Sequence, residues 1–323
     1  MPQFDKITLG RQARELGFVR DTFEKVCRLA EILSFMEQDP ILADSLALKG
    51  GTAINLTIFD LPRLSVDIDL DFSKNVNRDD MLAERKEITD HLSRYMTAAG
   101  YTLSAKSKQY HALDSFVYEY TNAGGAKDNL KIEINYMLRC HVLPLDRRPV
   151  KLPWLKAKIN VLTVAPLEIF AAKIVALLSR TAPRDLYDIA NLQKYDFFSA
   201  DELALLRQCT VFYSAIAAEQ APAAFNFDTI RELDPHRIRT DLIPVLRRTE
   251  RFDLQAAQEN TIDFLASFMS LTIAEIEFWQ AFNDKNYRPE LIFSDPDQLQ
   301  RIIKHPMAIW KCRNGSKYPW KLS

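Results

Sequence analysis

Apolar residues at Leu16, Val19, Phe23, Val26, Leu29 and Ala30 recur at helical spacing with no internal proline, which predicts one helix over about 10–36. A short apolar run at 46–48 then meets Lys49-Gly50-Gly51-Thr52, and 53–59 suits a helix again. The pattern is that of a strand, a tight glycine turn and a helix start. Strict alternation follows over 64–72 (LSVDIDLDF). It places Leu64, Val66, Ile68, Leu70 and Phe72 on one face and Ser65, Asp67, Asp69 and Asp71 on the other. An amphipathic helix is predicted over 79–96, and strands over 101–106, 115–121, 130–136 and 160–164.

From Pro166 the texture changes. Helices are predicted over 167–178, from Pro183, and over 203–217, 262–282 and 297–303. The expected fold class is α+β: a mixed sheet with flanking helices, then a helical half. The expected domains are 1–164 and 165–323.

Composition narrows the class without naming a chemistry. The 323 residues are 47% hydrophobic and 26% charged, which excludes a disordered or collagen-like chain. No stretch approaches the roughly 20 apolar residues needed to span a bilayer. The first residues lack the apolar core of a secretory signal, so a cytoplasmic protein with no membrane partner is expected. Cys27, Cys140, Cys209 and Cys312 are scattered without metal-site spacing, and four reduced thiols are expected. Basic and acidic residues number 42 and 43, so whole-chain attraction to nucleic acid is excluded and any such contact must be local.

Asp67 and Asp69 leave the same face of one strand, and two carboxylates so close need a cation to offset their repulsion. Hard oxygen donors of this kind suit Mg²⁺. A D-x-D alone reads equally well as a solvated row of acids. Gly50-Gly51-Thr52 at a helix start can offer backbone N–H groups and a hydroxyl to phosphates; alone, it is also an ordinary capped helix. Lys131-Ile132-Glu133-Ile134-Asn135 alternates so that Lys131, Glu133 and Asn135 share a face, and pairing beside the D-x-D strand would make Glu133 a third carboxylate. Lys173, Leu177 and Arg180 share a helix face in a largely apolar segment, where a lysine suits a phosphate and a surface lysine is the plain alternative. The run from Arg184 and Asp185 to Asp188 can be an internally paired helix start.

Taken together and in order, KGGTAI, RLSVDIDLDF, KIEI and EIFAAKIVALLSRTAPRDLYDI resemble the AbiEii/AbiGii toxin family of nucleotidyltransferases, over roughly residues 46–192. The resemblance implies a polymerase-beta-like fold and the toxin half of a bacterial toxin–antitoxin pair, in some cases tied to abortive phage infection. Relatives of this kind modify transfer RNA acceptor ends, and others are associated with guanine nucleotides. By position, Gly50, Gly51, Thr52 and Ser65 fall to nucleotide binding with Lys131, Lys173 and Arg180. Asp67, Asp69 and Glu133 fall to metal binding, for Mg²⁺ or Mn²⁺. Asp67, Asp69, Glu133 and Asp188 form the catalytic set, with Glu133 and Asp188 alternatives as base. Glu133 stands where polymerase-like enzymes often carry Asp.

The implied reaction moves a nucleoside monophosphate from a nucleoside triphosphate to an RNA acceptor, transfer RNA foremost, with a cognate antitoxin as partner. The rivals are a toxin that modifies a protein, a module that only binds nucleotide or antitoxin, and a metal-dependent phosphodiesterase. The last usually needs histidines, and none of the five lies in the motifs. Two basic stretches are candidates for holding RNA: Arg139 with Arg147, Arg148, Lys151, Lys156 and Lys158, and Arg301 with Lys304, Lys311, Arg313, Lys317 and Lys321, beside Trp310, Tyr318 and Trp320.

Overall fold

The computed structural model describes residues 4–152, 154 and 158–314. Helices α1 (Lys6–Leu16) and α2 (Arg20–Gln38) occupy the stretch predicted as one helix. Gly17 separates them: it is left-handed at φ 81° and its N–H closes the last turn of α1, a conformation glycine adopts without strain. The short α3 (Pro40–Ser45) leads into β1 (Leu46–Lys49) and the glycine-led turn of helix α4 (Gly50–Ala53), which continues as a π turn through Ile54–Ile58. Next come β2 (Asp67–Phe72), α5 (Arg78–Ala98), β3 (Thr102–Leu103), β4 (Lys108–Gln109), β5 (Leu113–Thr121), β6 (Lys127–Asn135), β7 (Asp146–Pro149) and β8 (Asn160–Thr163).

These strands form one mixed sheet in the order β3-β5-β6-β2-β1-β8-β7, with β4 also on β5. The central strand β2 runs antiparallel to β1 and parallel to β6. Ile68, Leu70, Phe72, Leu130, Ile132 and Ile134 are buried, as the alternation requires. Strand β2 begins three residues later than the alternation suggests. Leu64 gives its N–H to the Val245 carbonyl instead of a ladder, at 2.8 Å. Ser65 is accordingly buried and Val66 half-exposed, the reverse of the expected faces.

Helices α6 (Pro166–Arg180), α7 (Pro183–Lys194), α8 (Ala200–Ala217), the single turn α9 (Pro235–Arg237), α10 (Leu254–Phe268), α11 (Ile273–Asn283), α12 (Pro296–Ile302) and α13 (Pro306–Asn314) follow. The helix predicted over 262–282 is two, because Thr272 and Glu275 make a reciprocal capping box that starts α11 afresh. The α6–α8 pair buries Ile169, Phe170, Ile174 and Leu177 with Leu206, Val211 and Phe212. No helix among the described residues is long and apolar enough to cross a membrane.

The chain divides into two compact units. One holds residues 1–139, 145–164 and 243–250, including the whole sheet; the other holds 140–144, 165–242 and 251–323. In the helical unit, buried Glu168 fixes the 140–144 segment by accepting the Val142 and Leu143 N–H groups at 2.8 Å and the Tyr213 hydroxyl.

Candidate active site

The sheet unit gathers most of the residues singled out by pattern. Register places Lys49 and Glu133 on either side of Asp69, and Lys131 opposite Asp67. Directly opposed residues share a sheet face, so Lys49, Asp67, Asp69, Asp71, Lys131 and Glu133 stand on one polar face. The pairing on which Glu133 depended is thus present. Its carboxylate lies 3.0 Å from the Lys131 ammonium. Among the described residues no three His, Cys, Asp or Glu side chains converge as a ready metal cage.

Asp71, on the same face, is buried and paired with Lys49. Burial raises its carboxyl above the usual carboxylate range, against the pull of the Lys49 ammonium. Lys49 opens the KGGTAI motif, but nothing local tells a strand-end lysine from a solvated one, so the sequence assigns it no role.

The glycine turn has the expected strand-to-helix form, with the Thr52 side chain turned inward. Gly50 has φ 65°, and a Cβ there would stand 2.5 Å from Asp69 Oδ2. The space a side chain would fill at Gly50 therefore belongs to the Asp69 carboxylate. Thr52 is wholly buried; its hydroxyl donates to the Asp67 carbonyl and shares a hydrogen bond with the Ser65 hydroxyl 2.9 Å away. Thr52 and Ser65 thereby tie the turn to the start of β2.

In the helical unit, α6 and α7 are joined by Thr181 and Ala182, and the turn sets two carboxylates of α7 against two cations of α6. Lys173 Nζ lies 2.6 Å from Asp185 Oδ1 and 3.1 Å from Asp188 Oδ2, and Arg180 Nε donates to Asp185 Oδ2 at 2.9 Å. Lys173 is only 9% exposed, which excludes an ordinary surface lysine, and Asp185 and Asp188 are buried too. Burial pushes the Asp185 carboxyl up, but Lys173 and Arg180 outweigh it and hold the group at about 2. Arg184 Nε donates to the Asp241 carbonyl at 2.7 Å.

The basic stretches are partly engaged. Arg147 donates to the Ala43 carbonyl and Asp44, and Lys151 to the Ile58 carbonyl. Arg139 donates to the Tyr136 carbonyl and Arg148 approaches Asp146 at 3.7 Å. Lys158, Lys304 and Arg313 are exposed. Lys311 is turned inward, its ammonium donating to the Ala218 carbonyl at the end of α8. Lys156, Lys317, Tyr318, Trp320 and Lys321 lie outside the described residues.

The structure is similar to that of MenT4, nucleotidyltransferase toxin Rv2826c from Mycobacterium tuberculosis H37Rv. The TM-score is 0.65 at 15% identity, over 94% of this chain and 98% of the other. At that identity the likeness speaks for the fold, a nucleotidyltransferase one. No curated protein gives a match. The sequence profile described as "Nucleotidyl transferase AbiEii toxin, Type IV TA system" matches residues 34–284, a span that takes in the glycine turn, the D-x-D strand, Glu133 and the Lys173 cluster. The chain belongs to the AbiEii family of nucleotidyltransferase toxins of type IV toxin–antitoxin systems.

Proposed function

We propose that the protein transfers a nucleoside monophosphate from a nucleoside triphosphate to an RNA acceptor, with transfer RNA the first candidate, and that the reaction depends on a divalent ion held by Asp67 and Asp69. The observation that carries this reading is the single polar sheet face on which two aspartates of β2 stand between Lys49 and the Lys131–Glu133 pair. Carboxylates are hard oxygen donors and fit Mg²⁺ or Mn²⁺, which fill the rest of their shell with water and phosphate oxygens. When bound, such an ion supplies charge neutralisation on the triphosphate and a lowered pKa at the attacking hydroxyl.

The protein's own groups do the rest. Backbone N–H groups of the Gly50–Gly51 turn hold phosphate oxygens, and the ties from Thr52 and Ser65 to β2 keep that turn in register with the aspartates. Lys131 offsets charge on the triphosphate. For Lys173 and Arg180, in the helical unit, we keep the nucleotide-binding role that the family motif implies. A carboxylate, Glu133 or Asp188, takes the acceptor's proton. The antitoxin implied by the family regulates this activity.

The test is incubation of the pure protein with Mg²⁺ or Mn²⁺, each labelled triphosphate in turn, and total cellular RNA. Label on RNA is the expected result, abolished by chelation. Asp67→Asn and Asp69→Asn should each lower the rate by at least about a hundredfold, the usual size of a lost electrostatic group, with the fold intact by circular dichroism. Label on protein alone would replace RNA by a protein acceptor. Triphosphate binding without any transfer would reduce the chain to a binding module.

A further inference from the structure

Gly51, unlike Gly50, is outside the left-handed region, so its backbone does not require glycine. Its neighbours do. A Cβ at Gly51 would stand 2.6 Å from Arg63 Nη2 and 3.1 Å from Ser65 Oγ. The guanidinium of Arg63 therefore packs directly against the second glycine of the turn. Arg63 is 1% exposed, among the largest fully buried side chains of the protein. Its Nη1 donates to the Leu64 carbonyl at 3.0 Å and its backbone N–H donates to Asn55 Oδ1 at 3.3 Å. The Asn55 amide in turn donates to the Gly51 carbonyl at 2.8 Å. Asn55 thus fastens Arg63 and Gly51 to one another, while Ser65, on the same side of Gly51 as the guanidinium, is fastened through Thr52 to the Asp67 carbonyl.

A buried cation costs several kcal/mol of desolvation, and an apolar side chain of similar size would fill the same volume at less cost. Arginine keeps its charge in any such site. With no side chain on Gly51, the guanidinium can lie directly against the backbone of the turn.

We infer that Arg63 is a positioning residue for the triphosphate: it sets the Gly50–Gly51 turn against the D-x-D strand, acting through Gly51 without itself reaching the substrate. The inference rests on the nucleotide-binding role proposed above for that turn.

Three variants of the whole protein test it: Arg63→Met, which keeps the bulk and removes the charge; Arg63→Lys, which keeps the charge and removes the planar fork; and Gly51→Ala, whose methyl must displace the guanidinium. Triphosphate KM, acceptor KM and kcat are read for each, with binding of the triphosphate in the presence of Ca²⁺ measured by calorimetry. Arg63→Met and Gly51→Ala should each raise the triphosphate KM and Kd by on the order of tenfold, about 1.4 kcal/mol, with the acceptor KM within about twofold. Arg63→Lys should fall between them and the parent, and Gly51→Ala with Arg63→Met should be less than additive because both act on one contact. A merely structural arginine would lower the active fraction, and so kcat, with KM unchanged; that result overturns the inference. Should Arg63→Met not fold, Gly51→Ala alone decides, since an unchanged triphosphate Kd there is equally fatal. A parent protein that binds no triphosphate would sink the turn's proposed role and this inference with it, whereas a parent that binds it and variants that bind it equally well would sink the inference alone.

Discussion

Asp185 shows opposing electrostatic forces on one side chain. Burial raises its carboxyl, and Lys173 with Arg180 lowers it further, to about 2. Because the folded value lies below the unfolded one, near 4, this ion cluster contributes its full stability above about pH 4 and loses it as pH falls towards 2. The amount is on the order of 2 kcal/mol. Denaturant titrations between pH 5 and pH 2 should show it as a falling midpoint that flattens in Asp185→Asn. At pH 7 that variant should be less stable by roughly 3 kcal/mol, since Lys173 stays buried with one carboxylate fewer. Parallel acid limbs for the two proteins would refute this account. Lys173 could be recognised in the sequence as a cation on an apolar helix, but its partners sit 12 and 15 residues on and meet it only through the turn at Thr181. Periodicity within one helix does not report pairing between two. A second residue-scale expectation concerns Gly50. Alanine there meets both a left-handed backbone and the Asp69 carboxylate, so Gly50→Ala should cost at least about 1 kcal/mol in stability and reduce nucleotide transfer. Near-parental melting and transfer would show that the turn has room to move.

At the scale of elements, the sequence was most legible where burial is one-sided. The core of β2, the alternation of β6 and the apolar faces of α6 and α8 all follow from spacing alone. It was least legible where one distant contact decides a boundary. Leu64 leaves the strand because Val245 takes its N–H, and no local pattern announces that. Strands β4 and β7, two and four residues of mostly polar sequence, carry no alternation long enough to read. The break between α10 and α11 was readable in principle, since Thr272 and Glu275 have capping-box spacing. Thr272→Ala should therefore cost about 1 kcal/mol, seen as a lowered thermal midpoint, and an unchanged midpoint would show that packing alone sets the start of α11. For β7, exposed at the end of the sheet order, the proposed role in holding RNA predicts that Arg147→Ala with Arg148→Ala weakens RNA binding uniformly across sequences. The slope of log affinity against log salt should fall by about one for each phosphate that is no longer neutralised. An unchanged slope would remove β7 from the RNA path and leave these arginines to their bonds with Ala43, Asp44 and Asp146.

For the whole molecule, the two units are not consecutive pieces of chain. Residues 243–250 return to the sheet unit after about half of the helical unit has been traversed. There Val245 accepts from Leu64, and Arg247 donates to the Leu16 and Leu61 carbonyls and lies over the Phe18 ring. A fragment ending at Val164 contains every strand found among the described residues but lacks these braces. Its unfolding, followed by circular dichroism, should be less cooperative than that of the sheet unit in the full chain, and a sharp transition at the parental temperature would contradict this. During synthesis the same arrangement acts as a clock. The loop that leads into the D-x-D strand gains its last support only after residue 250 has been made, long after Asp67 and Asp69 have left the ribosome. A toxin built this way is expected to stay harmless while incomplete: messages truncated before Ile243 should be tolerated by growing cells, and poisoning should begin only with products that reach beyond Glu250.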